Sequence, residues 1–185
     1  SKEQIGNRIL SCEAMVDSNK IRTGQLEDDD WVKLASTLGR VSEAPIYIED
    51  SSDISIMEIR AKCRKLKLEK NIGLVIIDYL QLIRGSGKKS STREQEIGEI
   101  SRFLKILAKE LDVPVLALSQ LSRGVEKREE KRPMLSDLRE SGSIEQDADM
   151  VIFIHRDDYY KDDAERRNIA EIIIAKYRAG TTGKV

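Results

Sequence analysis

The sequence predicts an α/β domain in which a mainly parallel, twisted sheet is flanked by helices, and three observations lead to that prediction. Short apolar runs without polar alternation recur along the chain, which is typical of strands buried on both faces. Stretches with helical periodicity separate several of these runs. The connections between them are mostly short, as in folds that alternate strand and helix. The chain has 185 residues, which is enough for one domain with a substantial core, and we expect a single partial domain over 1–185.

Four stretches have the apolar periodicity of amphipathic helices. The first begins with Ser1-x-x-Gln4, a capping box that satisfies free backbone N–H groups at a helix start. In the last, Ile97, Ile100, Leu104, Leu107 and Leu111 recur at helical spacing. The four predicted helices cover residues 2–16, 28–40, 54–69 and 93–111.

Five short apolar runs predict strands. Leu74-Val75-Ile76-Ile77 follows Gly73 and contains no polar residue, so we expect it to be buried on both faces in a parallel sheet. Pro114 to Leu118 has the same character. The predicted strands are 46–48, 74–77, 114–118, 150–154 and 172–175. The chain opens with a helix and closes just after a strand, so we expect the fold to be incomplete at both ends.

Composition excludes several classes of protein. Hydrophobic residues make up 39% and charged residues 35%, and no run approaches the roughly 18 apolar residues of a membrane span. Cys12 and Cys63 have no partner at metal-ligand spacing and are predicted to be reduced structural thiols. The single histidine, His155, excludes a histidine-rich metal site, and we expect it at the surface, although a role in a site stays open.

Basic residues concentrate in two polar connections, although the net charge of the chain is only −1. Residues 84–93 contain Arg84, Lys88, Lys89 and Arg93 and no acid. Residues 123–132 contain five basic residues and three glutamates. These connections and a third at 157–168 are long enough to be functional or mobile loops.

Polar side chains follow two of the predicted buried strands. Asp78 comes directly after the run at 74–77, at the carboxyl edge of the sheet where α/β folds bind ligands. An aspartate there can hold Mg²⁺ through water in a P-loop ATPase. Ser119-Gln120 ends the next strand, and a glutamine there can contact a γ-phosphate without adding charge. Each residue alone could be an ordinary solvated group.

Two further stretches are candidates for phosphate binding. Arg139 precedes a Ser-Gly-Ser turn whose backbone N–H groups could bind a nucleic-acid phosphate, and a capped polar turn explains the same residues. Lys176 and Arg178 follow the last strand and point the same way if strand geometry persists. They could be a solvated sheet edge or a finger that reaches the nucleotide of another subunit.

Together these stretches resemble the helicase sequence blocks of the DnaB family of bacterial replicative helicases. The block Arg-Glu-Ser-Gly-Ser-Ile-Glu-Gln-Asp-Ala-Asp is highly specific, and the likeness runs from Ser1 to Val185 in the same order. The matching blocks are Ile76 to Leu82, Ala117 to Arg123, Arg139 to Asp149, and Ile172 to Arg178.

The resemblance implies a RecA-like P-loop ATPase core that forms a homo-hexameric ring around single-stranded DNA, with ATP and Mg²⁺ between subunits. It implies a helicase that couples ATP hydrolysis to 5′–3′ translocation and duplex unwinding. Asp78 matches the Walker B aspartate, which acts at Mg²⁺ through water. Gln120 matches the glutamine that senses the γ-phosphate. Lys176 and Arg178 match the pair that reaches the ATP of the neighbouring subunit, with Arg178 as the arginine finger.

The resemblance also implies a DNA interface and protein partners. Arg139, Glu140 and Gly142 match the loop that follows the DNA backbone, and the basic stretch at 84–93 matches a loop facing the channel. Because a carboxylate repels phosphate, we expect Glu140 to orient Arg139 or to bind DNA through its backbone N–H. The implied partners are primase, a helicase loader and the clamp-loader subunit of the replisome. The implied location is the replication fork at the nucleoid, in the cytoplasm and away from membranes.

No G-x-x-x-x-G-K-[ST] phosphate-binding loop occurs in the sequence. In the family that loop and the catalytic glutamate lie upstream of the residue matched by Ser1, so neither Glu3 nor Glu13 is assigned that role. We therefore expect the chain alone to be inactive. Two other classes remain open. One is a RecA-like recombination or clock ATPase, and the other is a non-enzymatic truncated module that binds or caps a helicase ring.

Overall fold

The computed structural model describes residues 1–51, 53–85, 92–160 and 169–184. The chain divides into two compact units, the amino-terminal unit Ser1–Ser52 and the carboxy-terminal unit Asp53–Val185. The prediction that 1–185 forms a single domain remains a prediction. No helix in the described ranges is long and apolar enough to cross a membrane.

The amino-terminal unit is built from helices α1 (Lys2–Ala14), α2 (Ser18–Thr23) and α3 (Asp28–Glu43). Its small core contains Ala14, Val16 and Leu34. Buried Asp30 in the first turn of α3 accepts hydrogen bonds from the Lys20 ammonium at 2.9 Å and from the Glu27 backbone N–H at 3.2 Å. These hydrogen bonds hold the pKa of the Asp30 carboxyl below its usual range, the Lys20 bond contributing most.

The predicted strand at 46–48 is wrong. These residues form no strand, and Ile46 and Tyr47 are 52% and 46% exposed. A strand needs the backbone groups of a neighbouring strand, and none of the described strands pairs with this segment. Local apolar composition after Pro45 was therefore not sufficient to form a strand.

The carboxy-terminal unit alternates helices and strands in the order that the apolar periodicity predicts. Helix α4 begins after Ser55 and helix α5 after Thr92, each with a capping box. Short 3-10 helices lie at Leu80–Leu82, Leu135–Ser141 and Asp157–Tyr159. The other elements are α4 (Ile56–Lys70), β1 (Val75–Ile77), α5 (Arg93–Leu111), β2 (Val115–Ala117), α6 (Gly124–Lys127), α7 (Gly142–Asp147), β3 (Met150–His155), β4 (Glu171–Tyr177) and β5 (Gly183–Lys184).

Strands β1 and β2 are parallel, with Val75 opposite Val115 and Ile77 opposite Ala117. Helix α5 lies between them in sequence, as a parallel pair requires a long crossover. The main core forms where α4 and α5 pack on β1, and Ile100 and Leu107 of α5 are fully buried there. The predicted α/β architecture with parallel strands is thus confirmed.

Strands β3, β4 and β5 form an antiparallel sheet, which the sequence pattern did not indicate. Met150 pairs with Tyr177 and His155 with Glu171, with an irregularity between Val151 and Ile152. Between β3 and β4 the described residues contain only the short 3-10 helix Asp157–Tyr159 and no long crossover helix. Antiparallel neighbours need no such crossover, because the chain simply reverses direction.

The prediction that the runs at 74–77 and 114–118 are buried on both faces is wrong. Ile76 of β1 is 59% exposed, and Leu116 of β2 is 50% exposed. Along β3 buried and exposed residues alternate, so that Ile152 and Ile154 are exposed. Side chains of a strand point alternately to opposite faces, and in β1 and β3 one face packs against described residues while the other is exposed.

The same alternation corrects the surface position expected for His155. It lies on the buried face of β3 with Val151 and Phe153 and is only 7% exposed. Its Nε2 lies 2.8 Å from Asp157 Oδ1, and its ring stacks on Tyr160 with centroids 5.9 Å apart. Cys12 and Cys63 are free thiols, as predicted, and no metal-binding cluster of three or more such side chains occurs in the described ranges.

Candidate functional site

The chain continues its parallel pairing beyond the ends of β1 and β2. The Leu118 N–H donates to the Ile77 carbonyl at 2.9 Å, and the Leu80 N–H donates to the Leu118 carbonyl at 2.9 Å. Asp78 lies between Ile77 and Leu80, which both bond to the Leu118 backbone, and Gln120 follows Leu118 by two residues. The two predicted site residues therefore leave adjacent strands at the same edge of the sheet, where α/β folds bind ligands.

The Asp78 carboxylate is exposed and makes no hydrogen bond or ion pair with another residue in the described part of the chain. Mg²⁺ usually keeps several waters and takes one or two protein carboxylates together with substrate phosphates. A single open carboxylate at this edge fits that requirement. One carboxylate would hold such an ion only together with further ligands, such as the phosphates of a nucleotide.

The Gln81 side chain joins the two strand ends. Its Nε2 donates to Ser119 Oγ at 3.1 Å, and its Oε1 accepts a hydrogen bond from the Gln120 backbone N–H at 3.4 Å. The Gln81 carbonyl also accepts a hydrogen bond from the Arg93 guanidinium. Gln120 thus has a fixed backbone, whereas its side chain is exposed.

Lys176, near the end of β4, and Arg178, directly after it, bind neighbouring carbonyls of one helix. The Lys176 ammonium donates to the Glu145 carbonyl, and the Arg178 guanidinium donates to the Gln146 carbonyl. Both carbonyls lie near the C-terminus of α7, where the helix dipole favours positive charge. The spacing of two residues therefore places both side chains on the side of the chain that faces α7, as the sequence predicts.

Asp149 lies directly before β3 and contacts one of these cations, Arg178. Its carbonyl accepts the Arg178 backbone N–H at 2.9 Å, and its carboxylate lies 3.6 Å from Arg178 Nη1. Lys105 of α5 also forms an ion pair with this carboxylate. The Lys105 hydrogen bond is the main reason that the pKa of Asp149 lies below its usual range, and the charges of Lys105, Arg178 and Lys109 lower it further.

The predicted DNA-contacting residues lie at the junction of a 3-10 helix and α7. Arg139 and Glu140 are in the 3-10 helix Leu135–Ser141, and Gly142 is the first residue of α7. Buried Asp137 anchors this segment, because it accepts hydrogen bonds from Arg128 at 2.6 Å and from the Met134 N–H at 2.8 Å. The roles of the Arg139 and Glu140 side chains remain predictions.

Backbone strain does not explain why residue 142 is a glycine. Its φ of −52° and ψ of −23° are ordinary helical values, and a Cβ built on it meets no atom within 4 Å. Gly98 of α5 differs, since a Cβ there would lie 2.8 Å from Ser143 Oγ. The first turn of α7 is therefore packed closely against α5 at Ser143 and open at Gly142.

The basic loop predicted at 84–93 lies partly outside the described residues, which omit 86–91. Arg84 forms an ion pair with Asp53 at 2.9 Å, and Arg93 forms one with Glu96 at 2.9 Å. Residues 161–168 of the third long connection also lie outside the described ranges.

Comparison with known proteins identifies the family. The sequence model of the DnaB-like helicase C terminal domain matches residues 1–185, which is the whole chain. The chain belongs to the DnaB-like helicase C-terminal domain family. The match confirms the resemblance inferred from the four sequence blocks and favours neither a recombination ATPase nor a capping module.

Relatives of this DnaB-like domain are longer than the chain. It is 57% identical over 185 residues to the replicative DNA helicase DnaB of Geobacillus stearothermophilus, covering 100% of the chain and 41% of that protein. It is 57% identical over 183 residues to the replicative DNA helicase DnaC of Bacillus subtilis, covering 99% of the chain and 40% of that protein. The chain therefore spans about 40% of the length of these relatives.

Two solved structures support the same fold. One is an ATPase domain, which matches the DnaB-like chain with a TM-score of 0.94 at 46% identity, over 100% of this chain and 66% of that one. The other is a DnaB-like replicative helicase, in a structure that describes its interactions with primase. It matches with a TM-score of 0.94 at 46% identity, over 100% of this chain and 45% of that one. The predicted RecA-like core is confirmed by these matches.

Two residues of this DnaB-like site were not predicted from the sequence. Asp149 and Gln81 lie within the blocks that carry the resemblance, but neither had an assigned role. A polar residue between Leu80 and Leu82 was the only local signal for Gln81. For Asp149 there was none, because its contact with Lys105 spans 44 residues.

Proposed function

We propose that the longer protein containing this chain is a ring-shaped replicative DNA helicase that couples ATP hydrolysis to 5′–3′ translocation on single-stranded DNA and to duplex unwinding. The observation that carries the proposal is the edge of the parallel pair, where Asp78 and Gln120 leave adjacent strands. Membership of the DnaB-like family supports the choice of helicase among the ATPases with such an edge.

At this edge Asp78 orients water around Mg²⁺ bound with the nucleotide. The ion, when bound, neutralises charge that develops on the phosphates. The Gln120 amide binds the γ-phosphate through a neutral hydrogen bond, so that contact is lost when the phosphate leaves. The fixed Gln120 backbone allows the side chain to respond to the phosphate without disturbing the sheet.

Lys176 and Arg178 act on the ATP of the adjacent subunit in a homo-hexamer. Their contacts with the α7 carbonyls hold them together at the end of β4. A guanidinium offers five N–H donors, so Arg178 can bind phosphate while some donors stay directed to its own subunit. As an arginine finger it stabilises the charge of the transition state.

Arg139, Glu140 and Gly142 contact the backbone of single-stranded DNA. Phosphate contacts do not read sequence, so binding is expected to be sequence-tolerant and to weaken as salt rises. The anchor at Asp137 holds this segment on the carboxy-terminal unit, and Gly142 leaves space for a phosphate to approach the backbone closely. Glu140 contributes through its backbone N–H or by orienting Arg139.

Gly142→Ala separates DNA contact from folding. We expect the free energy of unfolding to stay equal or rise by up to about 1 kcal/mol, because the backbone is helical and the Cβ meets nothing. Affinity for single-stranded DNA is expected to fall about tenfold at fixed salt, because the methyl group separates a phosphate from the backbone N–H. Thermal unfolding and fluorescence anisotropy with a labelled oligonucleotide measure the two effects.

Gly39→Ala is the matched control, since its Cβ also meets nothing and it lies in α3. It should leave DNA affinity unchanged. Equal affinities for Gly142→Ala and the unaltered protein would remove Gly142 from the interface.

Primase, a helicase loader and the clamp-loader subunit of the replisome are the proposed protein partners, and the replication fork at the nucleoid is the proposed location. One matched structure describes interactions of a DnaB-like helicase with primase, which supports the first of these. The proposed cofactors are ATP and Mg²⁺.

The direct test is unwinding by the full-length protein of forked DNA substrates in which only one of the two arms, the 5′ arm or the 3′ arm, is single-stranded. We expect Mg²⁺- and ATP-dependent unwinding from a 5′ tail and none from a 3′ tail alone. Strand exchange between homologous duplexes without unwinding would point to a recombination ATPase. DNA binding without ATP turnover would point to a non-enzymatic module.

A further inference from the structure

We propose that Gln81 is a positioning residue that sets Gln120 for its contact with the γ-phosphate. The inference rests on the proposed function and deepens it, because Gln81 touches neither nucleotide nor metal in the proposed mechanism. It acts through the backbone of Gln120 and the hydroxyl of Ser119.

The backbone of Gln81 is held firmly. It lies in the 3-10 helix Leu80–Leu82, between Leu80 and Ile83, which are 2% and 3% exposed. The Leu80 N–H is bonded to the Leu118 carbonyl of the neighbouring segment at 2.9 Å, and the Ile83 N–H to the Leu80 carbonyl at 3.1 Å. Because its backbone is held, the Gln81 side chain can determine the positions of Ser119 and Gln120.

The hydrogen-bonding groups determine the orientation of the Gln81 amide. A backbone N–H can only donate, so the atom that faces the Gln120 N–H at 3.4 Å must be the carbonyl oxygen Oε1. The NH₂ group is then directed to Ser119 Oγ, which can accept its hydrogen bond at 3.1 Å. One amide thus bonds to two consecutive residues at the end of the neighbouring strand segment.

A third contact links this arrangement to α5. The Arg93 guanidinium donates to the Gln81 carbonyl and also pairs with Glu96. Arg93 is the first residue of α5 and the last residue of the basic stretch at 84–93, which the resemblance matches to a loop facing the channel. Gln81 therefore contacts Ser119 and Gln120, the proposed γ-phosphate sensor. It also contacts Arg93 at the start of α5.

Gln81→Met in the full-length protein tests the role, because methionine has a similar length and no amide. We expect kcat for DNA-stimulated ATP hydrolysis to fall about tenfold while KM for ATP changes by less than about twofold, since contact with the transition state is disturbed more than nucleotide binding. Gln25→Met is the matched control, as Gln25 is exposed and lies in the connection between α2 and α3. It should behave as the unaltered protein.

A purely structural role would give a different pattern, in which the melting temperature falls and KM rises together with the loss of kcat. That pattern, or a kcat unchanged by Gln81→Met, would overturn the inference. If Gln81→Met lowers the melting temperature by more than about 5 °C while KM stays unchanged, the gentler Ser119→Ala decides instead.

Ser119→Ala removes the acceptor for Gln81 Nε2 and, with it, the long hydrogen bond of 3.4 Å that Ser119 Oγ donates to the Gln120 carbonyl. We expect about a threefold fall in kcat at unchanged KM and melting temperature, and no further loss when it is combined with Gln81→Met, because both changes remove one shared interaction. Additive losses would contradict the inference. Absence of ATP turnover in the unaltered protein would instead refute the proposed function, so the two failures are distinguishable.

Discussion

Arg178→Ala in the full-length protein is expected to lower DNA-stimulated ATP turnover at least about 100-fold while ATP binding is retained, because an arginine finger acts mainly on the transition state. Arg178 directly follows β4 and its side chain is half-exposed, so its loss leaves no cavity in the core. Its ion pair with Asp149 at 3.6 Å is at the surface, where such pairs contribute little to stability. ATP turnover is measured at saturating single-stranded DNA. ATP binding is measured separately, at equilibrium.

Mixing experiments test whether the finger acts between subunits. When Arg178→Ala subunits are mixed with Asp78→Asn subunits, each mixed interface that pairs an intact Asp78 with an intact Arg178 should recover activity. Arg102→Ala is the control, because Arg102 is an exposed residue of α5. Near-normal turnover by Arg178→Ala would exclude it from the nucleotide site and weaken the ring mechanism.

The second large effect is expected for Asp78→Asn. Loss of the carboxylate should lower kcat about 100-fold or more, equivalent to about 2.7 kcal/mol of transition-state stabilisation, because the amide cannot supply the charge that orients water around Mg²⁺. The Asp78 carboxylate has no partner within the described part of the chain, so the melting temperature should not change. Turnover is measured over a range of Mg²⁺ concentrations.

The Mg²⁺ titration separates a metal role from other roles of Asp78. If Asp78 acts at the metal, the variant should require more Mg²⁺ for half-maximal turnover. Asp112→Asn makes the same chemical change at the end of α5, where φ is 50° and asparagine is tolerated, and it should have no effect. A loss of activity with an unchanged Mg²⁺ requirement would argue against a role at the metal.

Much of the helical structure could be predicted because its signals are local. Helix α5 has the predicted bounds 93–111, since Thr92 and Gln95 cap its start and Leu111 is the last residue of the apolar periodicity. The parallel pair β1 and β2 follows from apolar runs separated by that helix. The sequence could not show that β3 and β4 pair in opposite directions, because direction depends on partners distant in the chain.

The exposure of Ile76 and Leu116 could not be predicted for a related reason. An apolar run indicates that a strand can be buried on both faces but does not identify what covers each face. The segment at 46–48 is a second example, since its apolar composition favours a strand only when a neighbouring edge is available.

The candidate site was predictable where residue type and strand position suffice, as for Asp78 and Gln120. The contacts that hold them were not. Gln81 reaches Ser119 across 38 residues, and Lys176 reaches Glu145 across 31. Side-chain contacts over such separations depend on the packed fold and leave no periodic pattern in the sequence.

Helix α7 has one consequence for how force could pass through the subunit. It has six residues and a length of about 9 Å, and an α-helix cannot shorten appreciably without breaking its hydrogen bonds. Gly142 lies at one end, and the carbonyls that bind Lys176 and Arg178 lie at the other. A displacement of Gly142 along the axis by one residue rise, about 1.5 Å, would move those carbonyls by the same amount. The helix is therefore a rigid rod whose two ends cannot move independently along its axis.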